Sequence, residues 1–462
     1  MIFRAKVLAA AVSAILLSAC GGTDHTVERT AQPAVADESK AEEAKATESE
    51  KAAEHDEHDH DEGVTDVAGR LVVSSADSNV LHVYSTADQS LIDSIGLTYT
   101  PQYLYGSENH RYAISVQRTD GLVEFLDGGL YQEAHDDHFH AHQDAPVAVS
   151  FHLESVKPTH VTVSEGGIAV FSDGDKETQQ NASVAMFNES HISGANKEVA
   201  VWEYSTYMHG AAQARGEYLI STLRDSSSES TLPAQIGLFH AHGDHFHDEK
   251  VFDVSCPALH GSAQNETTIA FGCADGVALI TQAGQAFSAS KVANPESFAE
   301  GQRVGALKGH PHSDQYIASA GGQLFMLDSH DAEFAALKWQ VTTDHRVSHY
   351  GFSASGEHVV VMDSAGKLSV FAAHEHDGEH HWEAEHEVMV SDGALAEGQS
   401  FSLAFSQAEE AVFVSDPLKQ QIKKFDLEAG EWSQTFELDI VPGKLVWLGI
   451  AKSEAAHDEH EH

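Results

Sequence analysis

Between about Val67 and Lys452 one local pattern recurs eight times: a short apolar run, a turn rich in Gly, Asp, Ser or Asn, and a second apolar run. The units are LVVSSADSNVLHVYS at Leu71, YAISVQRTDGLVEFL at Tyr112, IAVFSDG at Ile168, YLISTLR at Tyr218, IAFGCADGVALIT at Ile269, YIASAGGQLFML at Tyr316, HVVVMDSAGKLSVFA at His358 and AVFVSDPLKQQIKKFDL at Ala411, spaced 41 to 56 residues apart. Runs this short, bounded by turn residues and without helical period, read as strands. Repetition at this spacing implies small sheets that cannot bury their apolar faces alone and must stack on their neighbours.

Most of these hairpins follow one more short strand-like run: QYLYGS, HVTVSE, HGAAQA, HGSAQN, HYGFSA or FSLAFS. With an outer strand added, each unit is one blade of a β-propeller. The first hairpin, at Leu71, lacks a preceding strand, and the last run, KLVWLGIA from Lys444, lacks a following hairpin. Joining the two closes the ring. The fold expected is therefore all-β, an eight-bladed propeller over 67–452 in which the C-terminal strand completes the first blade. Seven blades is the alternative count.

The ends of the chain read differently. Residues 1–20 carry Arg4 and Lys6, then an apolar stretch too short for a comfortable membrane span, then LSAC ending at Cys20. This resembles a lipoprotein signal with Cys20 as the lipidated residue; a plain secretory signal is the alternative. Either implies export. Gly21 after Cys20 points, by the same resemblance, to the outer membrane. Residues 21–66 are acidic, Ala-rich and nearly free of large apolar groups, which reads as a disordered tether. The tether ends in EHDEHDHDEG, with His55, His58 and His60, and the tail 453–462 has the same character. No later segment is apolar and long enough to be a transmembrane helix. Two cysteines remain, Cys256 and Cys273, with sixteen residues between them. In an oxidising compartment such a pair suggests a disulfide between strands of adjacent hairpins. A zinc site using both thiolates is the alternative.

The chain holds 72 acidic and 26 basic residues, a balance that excludes nucleic acid as a partner and favours cations. It also holds 33 His, the commonest metal ligand. These fall into two groups on the repeat. In the first, His160, His209, His260 and His349 lie at nearly equivalent positions at the start of the innermost strand of blades three, four, five and seven. Blades four and five share HGxxQ, His209 to Gln213 and His260 to Gln264. Such positions converge at one mouth of the propeller channel, where imidazoles can make a zinc site. The plain alternative is blade-to-blade hydrogen bonding. Blades two, six and eight offer Gln102, Val304 or Gly305, and Ser402, so the cluster is one-sided.

The second group follows the third strand of a blade. HDDHFHAHQD carries His138, His140 and His142; HAHGDHFHD carries His240, His242, His245 and His247; HEHDGEHHWEAEH runs from His374 to His386. In a strand, alternate residues share a face, so HxH places two imidazoles together, ~6–7 Å apart at Cα. These clusters belong on the face opposite the first group. Imidazole with carboxylate suits Zn(II), with Cu(II) as the alternative; no CxxC or Met-rich pattern supports Cu(I). The tether histidines lack a frame and suit loose capture.

Together, DDHFHAHQD, HAHGDHFHD, the paired HGxxQ segments and the acidic His-rich arm resemble the AztD-type periplasmic zinc metallochaperones, over about 55–452. The resemblance implies a non-enzymatic periplasmic protein that hands zinc to the solute-binding protein of a zinc ABC transporter; a monomer is expected. The lipobox departs from freely soluble relatives. Two other readings stand beside it. A His-ligated copper or zinc metalloenzyme would need a placed general base; Glu165 and Asp173 are candidates that nothing singles out, and no GxSxG or HExxH occurs. A protein-binding scaffold with incidental metal buffering would bind its partner whether or not metal is present. For the chaperone reading, metal release is expected below about pH 6.5, where free imidazole protonates.

Overall fold

The computed structural model describes residues 69–135, 138–339, 346–376 and 379–452. Among these, eight four-stranded antiparallel sheets form the blades of a propeller. In blade three the order from the axis outward is Pro158–Ser164, Gly167–Ser172, Ser183–Phe187 and Ala200–Glu203. The other blades repeat this meander. Blade one is completed by the C-terminal strand, Pro442–Leu448, which pairs with Arg70–Ser75 as its innermost strand. Closure therefore joins the two ends of the propeller segment. Cys20, His55, His58, His60 and the tail from 453 lie outside the described residues.

The legibility of the hairpins has a physical cause. The second strand of each blade is covered on both sides by neighbouring blades. Arg70–Ser75, Tyr112–Gln117, Gly167–Ser172, His358–Asp363 and Ala411–Asp416 are buried at every position. A strand buried on both faces reads as a continuous apolar run. The outer strands are wet on one face, and Val147–Glu154 alternates exposed with partly buried positions. Their polar composition hid them in the sequence.

The core is a set of separate seams, each between adjacent blades. Phe171, Val184, Leu219 and Phe239 fill the seam between blades three and four. Ile220, Cys256, Phe271 and Ile280 fill the next. The ring-closing seam packs Leu71, Phe413, Phe436 and Trp447, from blades eight and one. Each seam needs both partners, as in other repeat architectures.

Cys256 and Cys273 form a disulfide with Cα atoms 4.8 Å apart. It does not join strands of adjacent hairpins. Cys256 sits in the loop entering blade five and Cys273 ends that blade's second strand, Thr268–Cys273. The bond thus pins the loop that continues into His260.

Candidate metal centre

Strand direction decides which residues meet. The innermost strand pairs antiparallel with the second, so its start lies beside the turn that leaves the second strand. In blade three Pro158 pairs with Ser172, which brings His160 near Asp173. His160 lies within its strand, whereas His209 and His260 sit in the loops just before Ala212–Arg215 and Ser262–Gln264. Glycine makes those two entries possible. A Cβ on Gly210 would come within 2.5 Å of the Phe171 ring and the Thr222 hydroxyl. Gly261 has φ +79°, and a Cβ there would meet the Gly305 carbonyl at 2.8 Å. The Gln residues of HGxxQ do the stitching instead. Gln264 Nε2 donates to Gln213 Oε1 at 2.8 Å, and Gln213 Nε2 donates to Ser262 Oγ at 2.9 Å.

The result is a triad from three adjacent blades. The Nε2 atoms of His160 and His209 are 3.3 Å apart, and those of His209 and His260 are 3.0 Å apart. All three ligating nitrogens fall within 4.8 Å of one another, the one such group of His, Cys, Asp or Glu among the described residues. The rings are half-buried.

What lies behind the rings fixes their protons. His209 Nδ1–H donates to Asp173 Oδ2 at 3.0 Å, and the same carboxylate oxygen accepts from Arg118 at 3.0 Å. His260 Nδ1–H donates to the Gly305 carbonyl at 2.6 Å. Both acceptors lack a proton, so each Nδ1 must carry one. In the neutral rings the Nε2 lone pairs then face each other across 3.0 Å. Such an arrangement is unfavourable unless a cation lies between them. Carboxylate or carbonyl behind a ligating imidazole is the usual way to fix its tautomer and raise its basicity.

The charges agree. Burial, then the neighbouring His209, lowers His160 to about 4. Burial also lowers His260, against the Gly305 hydrogen bond. Both therefore stay neutral, and able to ligate, below the pH 6.5 expected from free imidazole. For Asp173, burial works to raise the pKa, but the hydrogen bonds from His209 and Arg118 outweigh it and hold the carboxylate ionised.

His349 does not join the triad. It lies in Val347–Phe352 of blade seven, with blade six between it and blade five, and blade six contributes only the Gly305 carbonyl. Its Nδ1 is buried without a hydrogen-bond partner. Burial, with Lys444 and Lys308 nearby, lowers it to about 4.

The second group of histidines falls in the expected slot between the third and outer strands. In blade four the cluster forms the hairpin of Gln235–His242 and His245–Val251, with His240, His242, His245 and His247. In blade two it forms an extra two-stranded hairpin, Leu130–His135 with His138–Gln143, inserted before the outer strand. There His142 stacks on Tyr131 at 4.8 Å, and its Nε2 lies 3.4 Å from a Glu133 carboxylate oxygen without forming a hydrogen bond. His140 pairs in register with Glu133, and the side chain of His138 lies outside the described residues. In blade seven His374 lies 3.6 Å from Glu385. Among the described residues of these groups, no set of nitrogens is focused as tightly as the triad's.

No protein-family model matches the chain. A zinc chaperone, AztD of Citrobacter koseri, is 25% identical over 396 residues, which span 85% of this chain and 89% of that protein. The chain resembles the zinc chaperone AztD. Two solved structures of AztD, one of them apo, match with a TM-score of 0.70 and 22% identity, over 84% of this chain and 99% and 100% of theirs. AztD thus shares the propeller along nearly its whole length. The dihydro-heme d1 dehydrogenase NirN matches at a TM-score of 0.51 and 11% identity, which is a likeness of fold alone.

Arg118 carries no signal in the sequence, where Asp173 stands only as a candidate general base and Gly305 only as the blade-six equivalent of the histidines; their roles behind the rings come from the structure. Asp173 follows the second strand of its blade, as Asp363 and Asp416 end theirs. Those two accept backbone N–H groups of their own turns, Asp363 from Ala365 and Asp416 from Leu418. Asp173 has the same turn position in the repeat but serves His209. Only the geometry separates the two roles.

Proposed function

We propose that this protein is an exported zinc metallochaperone. It takes up Zn(II) at His160, His209 and His260 and passes it to the solute-binding protein of a zinc ABC transporter. The observation that carries this reading is the opposition of the His209 and His260 Nε2 atoms at 3.0 Å, with both Nδ1 protons engaged behind them. That is a socket made for a cation of imidazole preference, and Zn(II) is the borderline ion such nitrogen sets suit. The similarity to a zinc chaperone supports zinc over Cu(II) and a carrier over an enzyme.

The geometry also suits handover. Three histidines leave room in a four-ligand shell, so an incoming donor can bind before any imidazole leaves. Asp173 behind His209 and the Gly305 carbonyl behind His260 hold two of the rings in place, so little ordering is needed on capture. We read His55, His58 and His60, which precede the propeller segment in the sequence, as auxiliary donors for metal capture. A signal ending at Cys20 would place the protein in the periplasm, anchored to the outer membrane, and we read the propeller as a monomer.

The test is transfer. Zinc-loaded protein is mixed with the apo solute-binding protein, and the acceptor's occupancy is followed in time. Transfer that accelerates with acceptor concentration supports direct handover. Transfer no faster than zinc release to a chelator in place of the acceptor would remove the chaperone role and leave a zinc-binding propeller.

A further inference from the structure

The chain carries a second, differently built constellation of imidazoles on the other side of the propeller. The innermost and third strands of a blade run parallel, since each is antiparallel to the second. The end of the third strand therefore lies on the face opposite the start of the innermost strand. The hairpin 235–251 of blade four turns on that opposite face, and the triad cannot share a metal with it.

This hairpin is well fixed. Gly243 takes φ +63° in the first place of a two-residue turn, as primed hairpin turns require. The register pairs His240 with His247 and His242 with His245. Phe239 and Phe246 are buried in the seam between blades three and four, which assigns the inner face. By strand alternation the four histidines take the outer face. His240 is half-buried and the other three are exposed.

The rings crowd one another edge to face. His242 is the hub, with centroids 4.5 Å from His240 and 4.7 Å from His247, and His245 lies 5.2 Å from His247. Their nitrogens are little committed. His240 has Glu217 at 3.6 Å and Glu249 at 3.9 Å, contacts too long for hydrogen bonds. Glu249 is the extra residue of a bulge between the pairs of Leu238 and Phe239. His245 engages Asp244 through Nδ1 at 3.0 Å, which leaves its Nε2 for a ligand. The carboxylates favour a cation and repel anions.

The geometry points to a second site for a divalent borderline transition ion of the zinc class, held by His240, His242 and His247 with His245 as an exchangeable fourth donor. HxH on one strand and a histidine on its partner supply three nitrogens to one point, a donor set that zinc accepts. The exposed rings must rotate to close on the ion, whereas the triad is already focused. The hairpin site is accordingly the weaker and faster of the two. This inference needs neither the triad nor a partner protein.

The test uses the full chain in three forms: wild type, His242→Ala with His247→Ala, and His160→Ala with His209→Ala and His260→Ala. Zinc stoichiometry is read by competition titration, and release by stopped-flow mixing with a chromophoric chelator. The hairpin variant is expected to lose one equivalent from the fast-releasing class and to keep the tight, slow one. The triad variant is expected to lose the tight equivalent and to keep the fast one. The replaced hairpin rings are exposed, so thermal unfolding should be unchanged in that variant. A hairpin variant with the wild-type stoichiometry and the same fast phase would overturn the site and assign that metal to other His-rich segments. A triad variant that keeps the tight equivalent would instead count against the proposed function and leave the hairpin site standing.

Discussion

Replacing Asp173 with Asn keeps the shape of the side chain and removes its charge. Asp173 is buried, accepts from His209 Nδ1 at 3.0 Å and pairs with Arg118 at 3.0 Å. An Asn there has two orientations. With its oxygen in the place of Oδ2, the Nδ1 proton and Arg118 both keep their acceptor, but a neutral amide oxygen replaces the carboxylate and holds each of them more weakly. With its NH2 toward His209, the imidazole must accept at Nδ1, and its proton moves to Nε2, where it blocks the ligating lone pair. Either outcome lowers zinc affinity. Loss of the group that orients a metal-ligating histidine costs about 10–100-fold, or about 1.4–2.8 kcal/mol of binding. The stability cost is smaller, because the Arg118 side chain is a third exposed and its ion pair is worth at most about 1 kcal/mol. The assay is competition against a zinc chelator of known affinity, with thermal unfolding of the apo proteins as the control for folding. Unchanged zinc affinity in a folded Asp173→Asn protein would refute the argument that the carboxylate sets the tautomer.

Three further outcomes follow from the same structure. His349→Ala should leave tight zinc binding unaltered in a competition titration, because His349 stands outside the triad. Replacing Cys256 and Cys273 with Ser opens a disulfide whose ends are 17 residues apart; a loop near this length is worth about 3 kcal/mol, so the unfolding midpoint should fall, and zinc affinity should fall with it as the His260 loop loosens. The His358–Glu410 pair, at 3.0 Å between blades seven and eight, should give a pH-dependent stability. The Glu410 bond raises His358, a contribution complete below the unfolded value of about 6.5 and lost as pH rises through the raised one. Glu410, which burial alone would raise, is brought to about 2 by His358 and neighbouring hydrogen bonds; that contribution is complete above its unfolded value of about 4.3 and lost as pH falls toward 2. The difference in unfolding midpoint between wild type and His358→Ala should therefore be greatest between about pH 4.5 and 6.5, and a flat difference across pH 3–8 would contradict the linkage.

The fold was readable because each blade's second strand is dry on both faces. Runs such as IAVFS and HVVVMD advertise themselves, and the orphan strand at Lys444 announced the closure. Outer strands such as Glu431–Glu437 alternate and carry polar groups, so they left no comparable mark. The three ligand candidates of blades three to five were visible as His at the starts of inner strands. His349 shared that pattern, and only the intervening blade six excludes it from the triad. Asp173 looks like any turn aspartate, and the Gly305 carbonyl has no side chain to notice. The groups that define the proton positions are thus the ones a sequence conceals.

The most direct test of the central claim is a crystal of the zinc-loaded propeller, with anomalous scattering recorded on both sides of the zinc edge. The account predicts a zinc peak within ligating distance of the Nε2 atoms of His160, His209 and His260, with Asp173 still bonded to His209. A fully loaded crystal with zinc elsewhere and the three imidazoles free of metal would contradict it.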